Sequence, residues 1–72
     1  GYTFVSFLSL DSTGAEVMEL QKFLTAKGFY TGPITGTFGP LTESAVKLYQ
    51  AAHGIPSVGY VGPSTRAALN AE

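Results

Sequence analysis

The chain has 72 residues, a net charge of −1, one histidine and no cysteine. This length allows a single domain, and the absence of cysteine excludes a disulfide scaffold. A structural zinc site needs about four ligands, mostly thiolate and imidazole, which this composition cannot supply. Only four lysine and arginine residues are present, so the basic surface typical of nucleic-acid binding is missing. We therefore expect no metal, no cofactor and no nucleic-acid partner.

The first nine residues are apolar but show no one-sided pattern. They lack the basic stretch and cleavage site of a signal peptide, and no apolar run approaches the roughly 20 residues that span a bilayer. Apolar residues fall at even and odd positions alike, which does not match a half-buried strand. Residues 1–9 are therefore predicted to form an arm or linker before a domain of residues 10–72. The arm either folds over this domain or docks onto a neighbouring domain or chain.

The first helix is predicted between residues 13 and 28. Thr13 and Glu16 have the spacing of a capping box, with Thr13 as the N-cap. Gly28 is placed to end the helix in the left-handed conformation. The apolar stripe between them recurs at helical spacing and consists of Val17, Leu20, Phe23 and Leu24.

Two further helices begin at Gly-Pro pairs, because proline is favoured at the first helical position. The second helix starts at Pro40 and is closed by Gly54, and the short third helix runs from Pro63 through Leu69. Aromatic residues between the helices predict packed loops, so the sequence indicates an all-α fold, a compact three-helix bundle with long ordered loops. The predicted apolar face of the second helix contains Leu41, Ala45, Val46, Leu48, Tyr49 and Ala52, and the predicted core aromatics are Phe23, Phe29 and Phe38.

An internal repeat links the two halves of the chain. Residues 36–46 align with residues 59–69 at a fixed offset of 23, and glycine, proline, threonine and alanine recur at matching places. Each copy contains a glycine turn, an apolar residue, a Gly-Pro pair, and a threonine at the third helical position. A solenoid needs about three or more repeats, so two copies indicate one local device, a helix start, that is used twice.

The chain between about Leu10 and Asn70 resembles the peptidoglycan-binding domain family. The resemblance lies in the order of its apolar, glycine, threonine and glutamine residues. The resemblance implies a small three-helix module of the kind attached to cell-wall hydrolases and transpeptidases. Thr35 stands where many members carry Asp or Asn, a departure that weakens ligand binding if that group contacts ligand, but not if it only forms a turn. The matching segments are Val17-x-x-Leu20-Gln21-x-x-Leu24, Gly28-Phe29-Tyr30-x-Gly32-x-Ile34-x-Gly36-x-Phe38-Gly39-x-x-Thr42-x-x-Ala45-Val46-x-x-Tyr49-Gln50 and Gly59-x-Val61-Gly62-Pro63-x-Thr65-x-x-Ala68-Leu69.

This resemblance implies a non-catalytic module that binds the glycan strand or stem peptide of peptidoglycan. Such a module would anchor an attached catalytic domain or protein, outside the cell or in the bacterial envelope. The residues agree with a non-catalytic role, since Glu16 and Glu19 share one helix turn without a cleft, and His53 at a helix end favours a structural role. The alternative is an assembly domain whose apolar arm, with Phe4, Phe7 and Leu8, contacts another protein.

The candidate ligand-binding residues cluster around the two predicted Gly-Pro helix starts. Helix N-termini carry free N–H groups that suit a carboxylate, and the C–H face of a sugar suits an exposed tyrosine ring. Thr42 and Thr65 either contact ligand or bond back to the chain entering the helix. Arg66 either binds a carboxylate, from a ligand or from Glu72, or is a tolerated surface residue. The set is Tyr30, Thr35, Thr42, Tyr60, Thr65 and Arg66.

Overall fold

Three helices form the frame of the domain in a computed structural model that describes residues 2–72. They are α1 (Ala15–Ala26), α2 (Pro40–Ala52) and α3 (Pro63–Asn70). The only extended pairing in the described chain consists of two isolated antiparallel bridges, Leu8 with Val61 and Thr13 with Thr37. The predicted all-α fold with three helices is confirmed.

Proline starts and glycine ends define most of the helix boundaries. Pro40 and Pro63 occupy the first turns of α2 and α3, as predicted. Gly28 and Gly54 follow α1 and α2 with φ of 86° and 70°, a backbone conformation that costs glycine little. After Gly54, the Ile55 N–H donates to the Gln50 carbonyl at 2.9 Å, which satisfies a carbonyl at the helix end.

The predicted capping box at the start of α1 is wrong. The N-cap residue is Gly14, and no side chain caps the helix there. The carboxylate of Glu16 instead accepts the N–H groups of Val5 and Ser6 at 2.7 and 3.0 Å. Glu16 therefore holds the arm and not its own helix start, because the arm lies within reach and offers two unpaired N–H groups.

The core is built from one face of each helix and from residues in the loops. Phe38 and Val61 are fully buried although they lie outside the helices, which confirms that the loops pack. The apolar face predicted for α2 is partly wrong, since Leu41, Leu48 and Ala52 are exposed. The polar residues Thr42 and Gln50 occupy the buried arc of α2 beside Ala45, Val46 and Tyr49.

The N-terminal arm folds over the bundle, which is one of the two predicted alternatives. Phe4 and Leu8 are buried in the core cluster. The backbone of Phe4 makes two hydrogen bonds with the side-chain amide of Asn70, at 2.7 and 2.9 Å. Leu8 and Val61 exchange backbone hydrogen bonds of 3.3 and 2.7 Å. The core thus extends beyond the boundary drawn at residue 10 and includes part of the arm.

Candidate functional site

A buried glutamine on α1 holds the loop that leads into α2. Its Oε1 accepts the N–H groups of Thr35 and Gly36, both at 3.0 Å. Its Nε2 donates to the Thr37 carbonyl and to Thr42 Oγ1, both at 3.1 Å. We call this arrangement around Gln21 the first glutamine clamp. It fixes the start of α2 against α1, since a buried amide that is fully hydrogen-bonded has one preferred geometry.

A second glutamine clamp fixes the start of α3 against α2 in the same way. Gln50 Oε1 accepts the Gly59 N–H at 3.0 Å, and its Nε2 donates to the Tyr60 carbonyl at 2.8 Å and to Thr65 Oγ1 at 3.0 Å. These three partners occupy the positions of the internal repeat that match Gly36, Thr37 and Thr42 in the first clamp. The device that the sequence uses twice is therefore a glutamine clamp on a helix start.

The two clamps explain why threonine recurs at the third position of α2 and of α3. Thr42 and Thr65 are buried, and neither α2 nor α3 has a side-chain hydrogen bond to its cap. The alternative in which each threonine bonds back to the chain entering the helix is therefore wrong, because each hydroxyl accepts from a glutamine of the preceding helix instead. Thr42 and Thr65 thus hold the helix starts in place from inside the domain.

Each helix start borders a separate open groove. We call the one beside α3 the α3 groove; it has a volume of about 230 Å³ and no charged residue in its lining. The α2 groove has a volume of about 360 Å³ and is also uncharged in its lining. The α3 groove is lined by Ile55, Pro56, Val58, Tyr60, Gly62, Pro63, Ser64 and Thr65. The α2 groove is lined by Tyr30, Pro33, Thr35, Thr37, Gly39, Pro40, Leu41 and Thr42.

The candidate residues are therefore divided between two places. Tyr30 and Thr35 line the α2 groove, whereas Tyr60 and Thr65 line the α3 groove. The expectation of an exposed Tyr30 ring is wrong, because the ring is buried and its hydroxyl donates to the Pro33 carbonyl at 2.7 Å. Tyr60 is 43% exposed, so the two tyrosines are not equivalent. Of the two grooves, the α3 groove is the one with an exposed aromatic ring.

Thr35 and Arg66 both make contacts within the chain. Thr35 Oγ1 accepts the Thr37 N–H at 3.1 Å, a local bond typical of turns. The guanidinium of Arg66 donates to the Val61 carbonyl at 3.2 Å. Of the alternatives for Arg66, pairing with Glu72 is wrong, since Glu72 Oε1 pairs with Lys27 Nζ at 2.8 Å. Arg66 thus satisfies a loop carbonyl near its own helix start.

Glu72 joins a small polar cluster on the other side of α2. Its Oε2 accepts the hydroxyl of Tyr49 at 2.6 Å and lies 3.2 Å from His53 Nε2. The hydrogen bond from Lys27, with the bond from Tyr49, lowers the pKa of the Glu72 carboxyl below its usual value. Burial, with the adjacent carboxylate, raises the pKa of Tyr49. The His53 ring stacks on the Tyr49 ring, with 4.0 Å between their centroids. Because Lys27 follows α1 and His53 follows α2, the cluster joins the C-terminal ends of these two helices to Glu72.

Two carboxylates on α1, those of Glu16 and Glu19, also have partners within the chain. Burial alone would raise the pKa of Glu16, but the N–H groups of Ser6 and Val5 outweigh it and lower the value. Glu19 pairs with Lys22 at 3.6 Å. No three residues of metal-ligating type cluster in this part of the chain. No helix in it has both the length and the apolar character required to cross a bilayer.

Three residues make contacts that the sequence patterns did not predict. Gln21 and Gln50 form the clamps, and the signal available was a polar residue inside each buried helical stripe, upstream of each repeat copy. The third residue is Phe7 of the arm, whose ring lies 5.3 Å from that of Tyr60. No sequence signal indicated this contact, because it joins residues 53 positions apart through the fold.

Comparison with known proteins identifies the family of this chain. The family model of the peptidoglycan binding domain matches residues 13–69. The spore cortex-lytic enzyme of Bacillus cereus is 40% identical over 58 residues, which cover 81% of this chain and 22% of that enzyme. This chain thus spans about a fifth of that relative.

Solved structures agree with the sequence match. The N-terminal domain of SleB superimposes with a TM-score of 0.85 and 36% identity, covering 89% of this chain and 88% of that domain. The endolysin of the Burkholderia phage AP3 gives a TM-score of 0.85 and 38% identity, covering 92% of this chain but 25% of the endolysin. The chain belongs to the peptidoglycan-binding domain family.

Proposed function

We propose that this member of the peptidoglycan-binding domain family binds the bacterial cell wall without catalysing a reaction on it. The observation that carries the proposal is the α3 groove, an open and uncharged depression whose floor is fixed by the second glutamine clamp. A groove held rigid before binding loses little conformational entropy when a ligand enters. Family membership supplies the partner, peptidoglycan.

The charged residues support a binding role. Hydrolysis of a glycosidic bond uses two carboxyl groups about 5–9.5 Å apart across a cleft. Neither groove has a carboxylate in its lining. A third depression has Glu19 and Glu72 in its lining, but these carboxylates pair with Lys22 and Lys27. A role as a targeting module follows, in which the domain raises the concentration of an attached wall-acting domain at its polymer.

The location follows from the partner. Peptidoglycan lies outside the cytoplasmic membrane, so the protein would act outside the cell or in the envelope. The named relatives with a lytic function, the spore cortex-lytic enzyme and the phage endolysin, are each matched over about a quarter of their length or less. An attached catalytic domain is therefore the arrangement that we propose for this chain too.

Sedimentation with purified sacculi tests the proposal. We expect the domain to sediment with sacculi and not with cellulose, and Ser64→Trp to reduce the bound fraction by filling the α3 groove. Ala67→Trp is the matched control, because Ala67 is exposed on the same helix outside the groove lining. A wild-type domain that stays in the supernatant refutes wall binding. Equal binding by both variants instead moves the site away from the α3 groove.

The competing function, protein assembly through the arm, has less support in the fold. Phe4 and Leu8, two of the three residues predicted for that interface, are buried within the same chain. Phe7 remains 57% exposed and Val5 71% exposed. Sedimentation velocity over a hundredfold concentration range measures this alternative directly, since an assembly domain would show a concentration-dependent oligomer.

A further inference from the structure

Two aromatic side chains from distant parts of the sequence form one exposed surface beside the α3 groove. Phe7 comes from the arm and Tyr60 from the loop before α3, and their ring centroids lie 5.3 Å apart with 38° between the planes. Their neighbours Leu8 and Val61 form the backbone bridge between arm and loop. The bridge therefore sets the spacing of the two rings, and we call this pair the aromatic platform.

The aromatic platform is not explained by the packing of the core. Phe7 is 57% exposed, whereas its arm neighbours Phe4 and Leu8 are buried and supply the arm's contribution to the core. Contiguous apolar surface on a small soluble domain favours a binding role. Tyr60 belongs both to the platform and to the lining of the α3 groove, so the two form one continuous surface.

The chemistry of this surface selects between the two parts of peptidoglycan. A stem peptide carries carboxylates and favours a cationic site, whereas the sugars of the glycan strand present apolar C–H faces and uncharged polar groups. The α3 groove has no charged residue in its lining, and Arg66 lies outside that lining. An uncharged groove next to aromatic rings therefore matches the sugar and not the peptide.

We propose that the aromatic platform of Phe7 and Tyr60 packs against a sugar of the glycan strand while the α3 groove holds the neighbouring sugar. This inference rests on the proposed wall binding and names the part of the polymer that is recognised. It adds Phe7, a residue of the arm, to the binding surface. The α2 groove is not equivalent, since the corresponding loop position is Thr37 and its tyrosine, Tyr30, is buried.

Binding of two separate probes tests this proposal. The probes are peptide-free glycan chains, prepared from sacculi by removing the stem peptides, and the free stem peptide itself. We expect the glycan chains to shift the backbone amide signals of residues 7, 60, 62 and 64 in a heteronuclear NMR titration, and the stem peptide to leave them unchanged. Phe7→Ala and Tyr60→Ala should each weaken glycan binding by about five- to tenfold, the range of a contributing interface residue.

Two control variants test whether the aromatic ring itself, and not the tyrosine hydroxyl or any exposed apolar side chain, is responsible for glycan binding. Tyr60→Phe keeps the ring and should bind within about twofold of wild type, since a hydroxyl at a solvent-exposed edge contributes little. Leu48→Ala removes an equally exposed apolar side chain from α2, 56% exposed and outside the α3 groove, and should bind as wild type. Thermal unfolding of each variant confirms that the fold is intact, because both platform residues are exposed.

The outcomes distinguish failure of this inference from failure of wall binding. If sacculi still sediment the domain but Phe7→Ala and Tyr60→Ala bind as wild type, the platform is refuted and wall binding stands. Binding of the stem peptide alone also refutes it. If sacculi do not retain the wild-type domain, both proposals fail. A concentration-dependent dimer that the same two substitutions dissociate would assign the platform to a second copy of the chain.

Discussion

Replacing Gln50 by leucine tests the second glutamine clamp most directly. The substitution keeps the volume of a fully buried side chain but removes the partners of three groups. The N–H of Gly59 and the hydroxyl of Thr65 are buried, and each would cost about 1–3 kcal/mol when left unpaired. The added apolar surface returns about 1 kcal/mol. We therefore expect a loss of about 1–5 kcal/mol from a domain of this size, whose total stability is roughly 4–11 kcal/mol.

Urea unfolding followed by far-ultraviolet circular dichroism measures this loss. With a slope near 1 kcal/mol per molar urea, the midpoint should fall by about 1–5 M. A double-mutant cycle with Thr65→Val makes the assay specific, because removing both partners of a buried hydrogen bond is nearly neutral. The double variant should be more stable than the sum of the single losses by about 1 kcal/mol. A loss below about 1 kcal/mol for Gln50→Leu, or strict additivity in the cycle, would refute the reasoning.

Three further predictions concern the arm, the turns and pH. Leu8→Ala should lower the free energy of unfolding, measured with urea, by about 2–5 kcal/mol. Val5→Ala, at an exposed position, should change it by less than about 0.5 kcal/mol. Equal effects of the two substitutions would mean that the arm is not part of the core. Gly59→Ala should be about 1 kcal/mol more destabilising than Gly54→Ala in the same assay. Both glycines have positive φ, but only at Gly59 would an added Cβ meet side-chain carbons, those of Glu43 at 2.9 Å and Lys47 at 3.0 Å. The pKa of Glu16 is lower folded than its usual 4.5, so its stabilisation is present above that value and is lost as pH falls through the folded pKa. The difference in stability between wild type and Glu16→Gln, measured by urea unfolding, should therefore close as pH falls from neutral through the folded pKa of Glu16, and a constant difference would contradict this role.

The parts of the fold that the sequence predicted are those set by local chemistry. Proline at the first helical position and glycine after the last turn act through their own backbone preferences, so the starts of α2 and α3 and the ends at Gly28 and Gly54 were predictable. The capping box failed because Glu16 found two partners in the arm, 10 and 11 residues away. A capping box does not form when the fold offers its glutamate other N–H donors, as the arm does for Glu16.

The candidate site was less predictable, because its members depend on the path of the loops. Tyr30 and Tyr60 both precede a Gly-Pro helix start, yet one ring is buried and the other exposed. A pattern of residue types does not contain this difference. Gln21 and Gln50 were visible as polar residues within apolar stripes, but their role required the positions of loop amides that only the structure provides.

The sequence separation of the contacts has a consequence for the order of folding. The first glutamine clamp joins residues 14 to 21 positions apart and the second 9 to 15, whereas Phe4 and Asn70 are 66 positions apart. Closing the longer loop costs about 1.4 kcal/mol more than closing one of 14 residues. We expect both clamps to form early and the arm to dock last, so local unfolding begins with its release. Because Phe7 reaches Tyr60 only when the arm has docked, the aromatic platform is completed in the final step of folding.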